Sequence, residues 1–126
     1  MFKSMKEQDG YGVVQTRYYL TRGDSCKITA TPQKNGESIA DRVDKCVFKL
    51  ATSNYAMLQT TLNGTKIFPI DMKINENRDG FVLNLSSDIT KEIPVGSYIY
   101  EIEYTLSDGS VQTPHSWKFD IVKEIE

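Results

Sequence analysis

Apolar and polar residues alternate along most of this chain, and helical periodicity is almost absent. The clearest stretch runs from Tyr98 to Leu106. There Tyr98, Tyr100, Ile102, Tyr104 and Leu106 alternate with Ile99, Glu101, Glu103 and Thr105. A strand places every second side chain on one face, so the first set lines one surface. Asp108-Gly109 turns the chain, and Trp117, Phe119 and Ile121 follow in alternation with Ser116, Lys118 and Asp120. The pattern predicts a hairpin with one buried face and one wet face. Pro114 has no N–H to give a ladder and marks a bulge or an edge in the last strand.

Earlier segments repeat the pattern. Val14, Thr16, Tyr18 and Leu20 share one register, as do Cys26, Ile28 and Ala30, then Cys46, Phe48 and Leu50, then Phe81, Leu83 and Leu85. Asn35-Gly36, Asn63-Gly64, Asp79-Gly80 and Asp108-Gly109 supply turns that tolerate positive φ. Regular turn signals between β-rich segments predict a sandwich or barrel. Tyr55 to Ile74 reads as two strands around Asn63-Gly64. A short helix from Tyr55 to Leu62, capped by Ser53 and ended by Gly64, competes. The Asn-Gly pair between β-rich flanks favours the hairpin. Residues 1–12 are polar and Gly-containing, and read as an N-terminal arm that orders on a partner. Residues 13–126 read as a single domain.

Composition narrows the chemistry. The chain has 126 residues, the size of one domain, and 39% of them are hydrophobic, enough for a core. Its formal net charge of −2 lacks the basic surplus that general nucleic-acid binding needs. The longest unbroken apolar run is four residues, Tyr55 to Leu58, against about twenty for a bilayer-spanning helix. No nucleic-acid or membrane partner is expected. The start, MFKSMKEQDG, carries no apolar stretch of signal-peptide length. The expectation is a chain made and folded in a cytoplasm, or cut from something larger. Cys26, Cys46 and His115 fall short of the four ligands of a structural zinc site, and a Ser-His-Asp arrangement would rest on His115 alone. No catalytic residue, metal or cofactor is expected.

One local feature is more specific. Asp88 to Tyr98 reads DITKEIPVGSY, a compact crossing turn shaped by Pro94 and Gly96 before a strand that opens at Tyr98. In immunoglobulin-like sandwiches a Tyr at this corner returns its hydroxyl to nearby backbone and pins the crossover between sheets. Antibody domains place a cysteine two residues on. Here that position is Tyr100, so the inter-sheet disulfide is absent.

At this point the chain resembles the immunoglobulin-like domain family of tailed-phage virion structural proteins, typified by the N-terminal domain of the phage baseplate upper protein. The resemblance rests on Arg22-Gly23-Asp24-Ser25, on Asp44 to Leu50 with Cys46 and Phe48, and on Pro94 to Ile102. It continues through Asp108-Gly109 and Trp117 to Ile121, spanning residues 16 to 122. It implies an all-β, immunoglobulin-like β-sandwich of seven to eight antiparallel strands with Greek-key connections and no inter-sheet disulfide. It also implies a virion part without chemistry of its own, made and assembled in the host bacterial cytoplasm, that docks on other virion proteins or on copies of itself. The baseplate type carries a C-terminal stalk or receptor-binding head. The departure here favours a small accessory subunit: head decoration, head-fibre base, or tail-associated. A carbohydrate-binding or adhesion module is the alternative, and predicts aromatics grouped on one loop end or sheet face.

Several residues invite sharper readings. Arg22-Gly23-Asp24 matches the integrin tripeptide, but Gly and Asp are ordinary turn residues. Asn75 to Gly80 resembles the start of a calcium loop, yet the twelfth position is Ser86 rather than a bidentate Glu. Glu101 and Glu103 share an outward face about 7 Å apart, a spacing seen in glycosidases. A flat wet face offers no cleft, and Lys118 is the expected cross-strand partner for one of them. His115 could titrate near neutrality. Cys26 and Cys46 fall in inward registers and read as buried free thiols, with a disulfide between them the open alternative. The expected structural residues are Tyr98, Gly96, Pro94, Phe48, Ile102 and Trp117. The expected partner contacts are Met1 and Phe2 on the arm, Tyr11 at its end, and Ile99 on the outer face.

Overall fold

The computed structural model describes residues 1–124; Ile125 and Glu126, the end of the expected domain, lie outside the described residues. The chain forms an all-β, immunoglobulin-like sandwich of two layers. The larger layer holds β1 (Phe2–Gln8), β2 (Val14–Thr21), β6 (Val43–Ala51), β9 (Ile70–Asp71), β12 (Gly96–Leu106) and β13 (Val111–Val122), in the spatial order β1-β2-β13-β12-β6-β9. The smaller layer holds β3 (Cys26–Ala30), β10 (Lys73–Ile74) and β11 (Phe81–Leu85), in the order β10-β11-β3. The chain passes between layers at β2 to β3, β3 to β6, β9 to β10 and β11 to β12, which is Greek-key connectivity. Two small hairpins, β4 (Gln33–Lys34) with β5 (Glu37–Ser38) and β7 (Thr61–Leu62) with β8 (Thr65–Lys66), lie outside both layers.

The sequence alternation becomes burial alternation. In β3, Cys26, Ile28 and Ala30 are buried while Lys27 and Thr29 are exposed. In β12, Tyr98, Tyr100, Ile102 and Tyr104 are buried, and the residues between them are half-buried. Phe48 is the centre of the core. Its ring stacks on Tyr100 at 6.1 Å and meets Phe119 edge-on at 6.2 Å, geometries aromatic quadrupoles favour. Ile28, Leu83 and Leu85 close the core from the smaller layer.

Three details differ from expectation. Among the described residues nine strands build the two layers, because residues 1–12 do not project as an arm. Residues 2–8 are β1, paired antiparallel with β2 over seven residue pairs. The pairing of β2 with β13 is parallel, from Phe119 opposite Tyr18 to Val122 opposite Thr21. The stretch from Tyr55 to Ile74 has neither the competing helix nor two full strands. The Asn63-Gly64 turn is present, with Asn63 at φ 53° and Gly64 at φ 80°, but β7 and β8 are two residues each.

The corner is built as expected. Tyr98 Oη donates to the Pro94 carbonyl at 2.6 Å. A one-turn helix, α1 (Ser87–Thr90), precedes it, with Ser86 as N-cap. The fully buried Thr90 donates its hydroxyl to the Asp24 carbonyl at 2.9 Å, tying this corner to the turn before β3. Gly96 is not sterically required. A Cβ there would meet Tyr98 at 3.7 Å, an ordinary contact, so the turn's shape rests on Pro94 and the capped helix.

Candidate partner interface

The larger layer has six strands and the smaller has three, so β1 overhangs the sandwich. Of its seven residues only Phe2 and Glu7 are even half-buried. In an antiparallel pair, residues that exchange hydrogen bonds with the neighbour alternate with residues that do not. The Thr21 N–H donates to Met1 C=O at 2.8 Å, and the Asp9 N–H donates to Val13 C=O at 2.8 Å. Odd-numbered residues of β1 therefore turn their backbone groups toward β2. Phe2, Ser4, Lys6 and Gln8 point theirs to the free edge. An edge of this kind is a template for another strand.

The outer face of this margin is held by polar contacts. Glu7 Oε1 accepts from the Trp117 indole N–H at 2.9 Å, and its Oε2 accepts from Arg17 at 3.2 Å. Arg17 also donates from Nε and Nη2 to Asp120 Oδ2 at 3.0 and 2.7 Å. The indole hydrogen bond above all, opposed by partial desolvation and aided by Arg17, holds the Glu7 carboxyl below its ordinary value. The hydrogen bonds that Arg17 gives Asp120 chiefly raise the pKa of its guanidinium. Trp117 packs against the core as expected, but it is half-buried where Phe119 and Ile121 are buried. An indole N–H in that core would need an acceptor; at the margin Glu7 supplies one.

The β1–β2 turn is tied together by Asp9 and lifts apolar side chains into solvent. Asp9 Oδ1 accepts from the Tyr11 and Val13 backbone N–H groups at 2.8 and 3.0 Å, and Gly12 takes φ 77°. This lifts Tyr11 to 95% exposure, flanked by exposed Val13 and Val14. Met5, at mid-strand, is 48% exposed. Sequence reasoning took Met5 only as part of the 1–12 arm and did not single out Val13 or Val14. The Asp9-Gly10 dipeptide was the available signal, since it is a turn pair of the kind read elsewhere.

The four expected contact residues are not brought together. Met1 is exposed at one end of β1 and Tyr11 stands beyond the other, more than about 25 Å away at the strand rise. Phe2 belongs to the fold, because its ring stacks on Tyr18 at 5.6 Å. Ile99 lies half-buried in β12, between Ala51 and Lys118 of the flanking strands. Phe48 and Ile102 are paired across β6 and β12 in the core, as expected.

A cleft of about 320 Å³ opens where the inner face of the margin meets β3, lined by Lys6, Thr16, Tyr18, Thr29, Tyr100 and His115. Tyr100 Oη donates to the Thr16 carbonyl at 2.5 Å, and Lys6 Nζ donates to Thr16 Oγ1 at 2.6 Å. Burial first, then the charge of Lys6, depresses the His115 pKa. His115 packs edge-on against Tyr104 at 5.8 Å.

The remaining motifs resolve into architecture. Arg22 donates twice to the Lys91 carbonyl, at 3.0 and 2.6 Å, and Asp24 offers its carbonyl to Thr90. The Asn75 amide donates to Asp79 Oδ1 at 2.7 Å, closing its loop on itself. Among the described residues no group of three or more His, Cys, Asp or Glu is placed to hold a metal ion. Glu103 pairs with Lys49 at 2.7 Å. Lys118, expected to meet one of the two glutamates, lies over the Trp117 ring at 4.9 Å instead. Cys26 and Cys46 are buried free thiols, and burial pushes them up to about 11 and about 12. The exposed tyrosines, Tyr11 and Tyr55, are not grouped. The strand registers put Tyr55 at the Gly96–Ala51 end of the layer and Tyr11 at the opposite end.

No protein-family model matches this chain, and no curated protein matches it. Among solved structures it is similar to CopC from Methylosinus trichosporium OB3b, with a TM-score of 0.48 and 12% identity over 98% of each chain. No helix among the described residues is long and apolar enough to cross a membrane.

Proposed function

We propose that this chain is a non-enzymatic structural protein of a tailed-phage virion, an accessory subunit that docks on neighbouring virion proteins. The observation that carries the docking part is the overhanging β1. It offers the backbone groups of four residues to a partner strand beside the exposed Met5 and the Tyr11 turn. Strand addition uses such an edge, with main-chain hydrogen bonds giving affinity and side chains giving selectivity. The virion part rests on the ordered motifs from Arg22 to Ile121, which act here as corner, core and hairpin. Many copies on a symmetric particle make weak contacts sufficient through avidity.

The test is a quantitative protein inventory of purified particles, followed by cross-linking. A fixed copy number per particle, with cross-links from the β1–β2 hairpin to a second virion polypeptide or another copy, is the expected result. Absence of the chain from particles, in cells that make it, would overturn the reading.

A further inference from the structure

We infer that β1 is built to pair with β1 of a second copy of this chain, antiparallel about a twofold axis at Met5. This names the partner for the edge-strand docking proposed above and rests on that reading. The argument is one of register. The free-edge groups belong to Phe2, Ser4, Lys6 and Gln8, so only registers that set even residues opposite even residues satisfy them. The pairing centred on Met5 sets Phe2 opposite Gln8 and Ser4 opposite Lys6, using all four residues of each strand. Sliding the centre to Ser4 or to Lys6 leaves part of the edge unpaired.

Charge selects the same register. Side chains of Lys3, Met5 and Glu7 share one face, since their partners on β2 are Tyr19, Arg17 and Gln15. Centred on Met5, each Lys3 stands opposite the Glu7 of the other copy, and the two exposed Met5 side chains meet on the axis. These are non-hydrogen-bonded positions of the new pair, where side chains approach closest. Centring on Lys6 would instead oppose Lys6 to Lys6, like charges directly across. Lysines on an edge ordinarily repel strand addition. Here Lys6 is drawn inward to Thr16 Oγ1 and Lys3 leans over the Tyr19 ring at 5.4 Å, leaving the backbone between them open. Two six-stranded layers then join into one continuous sheet. A twofold contact uses the same patch on both subunits and closes, so it forms a pair and not a filament.

The experiment uses the full chain. Sedimentation equilibrium at rising concentration is expected to show a monomer–dimer equilibrium. Ser4→Pro removes an edge N–H that the pairing with β2 does not use, so it is expected to abolish the dimer with the melting temperature nearly unchanged. Met5→Cys, oxidised with diamide, is expected to run as a covalent dimer. Lys3→Cys is expected not to, because its opposite number is Glu7; Cys26 and Cys46 are buried and give no background. A monomer up to millimolar concentration, a dimer indifferent to Ser4→Pro, or cross-linking of Lys3→Cys in preference to Met5→Cys would each overturn the self-pairing. Met5→Cys linked in particles to a different virion polypeptide would overturn it while leaving the docking reading intact. A chain that neither dimerises nor appears in particles would overturn both.

Discussion

The β12–β13 hairpin and the β1–β2 hairpin belong to one sheet but are held by different physics. The first is covered by a second layer. Tyr98, Tyr100, Ile102, Tyr104, Phe119 and Ile121 are all buried, and its corner is locked by a hydroxyl on a carbonyl. The second overhangs. Its outermost strand is fastened by the backbone ladder, by the Phe2–Tyr18 stack, and by Glu7 with its two donors. Burial of apolar area does most of the holding in the first hairpin and little of it at the outer strand of the second. The lesson is that a strand can be fully formed in a sheet while adding little to the core, and such a strand is available for a second task.

The comparison breaks most visibly in the covered region. Phe48→Ala empties the centre of the core and is expected to cost about 3–5 kcal/mol, read from urea denaturation by circular dichroism. Tyr98→Phe removes only the corner hydrogen bond and leaves the Pro94 carbonyl without its donor, for a loss of about 1 kcal/mol in the same assay. The thiols sharpen the contrast. With Cys26 and Cys46 pushed up to about 11 and about 12, the native protein is expected to resist a disulfide reagent at pH 8. Both thiols should react in strong denaturant.

The smallest effect belongs to the margin. The Glu7 carboxyl titrates below its ordinary value of 4.5 in the folded chain. Its contribution is therefore complete above that value and lost as pH falls through the depressed one. Trp117 is the one tryptophan, so its emission is expected to shift in acid before the global circular dichroism signal changes. Glu7→Gln should remove that early step. Coincidence of the two transitions would mean that β1 is as firmly held as the core.

Legibility in the sequence followed the same division. Tyr98, Phe48 and Ile102 were readable because a strand between two layers must alternate strictly, and because Pro94 and Tyr98 stand at a fixed corner spacing. Residues 2–8 were not readable as a strand. An overhanging edge buries neither face well, so KSMKEQ carries no alternation and looks like an unstructured arm. Alternation put Trp117 on its face against the core but not at its depth, which depends on how far the smaller layer extends. The Tyr55 to Ile74 stretch resisted because strands of two residues are too short to leave a period.

The parallel contact between β2 and β13 has a consequence for how the molecule is made. Residues 18–21 find their neighbours at 119–122, far downstream in the chain. On a ribosome, the N-terminal hairpin emerges early and waits, with one flank of β2 unclaimed, until the final strand of the sandwich has been translated. Such distant pairings slow folding because loop-closure entropy comes before any contact that offsets it. Nascent chains stalled before residue 111 should leave this hairpin undocked, and chaperones would meet it in that form.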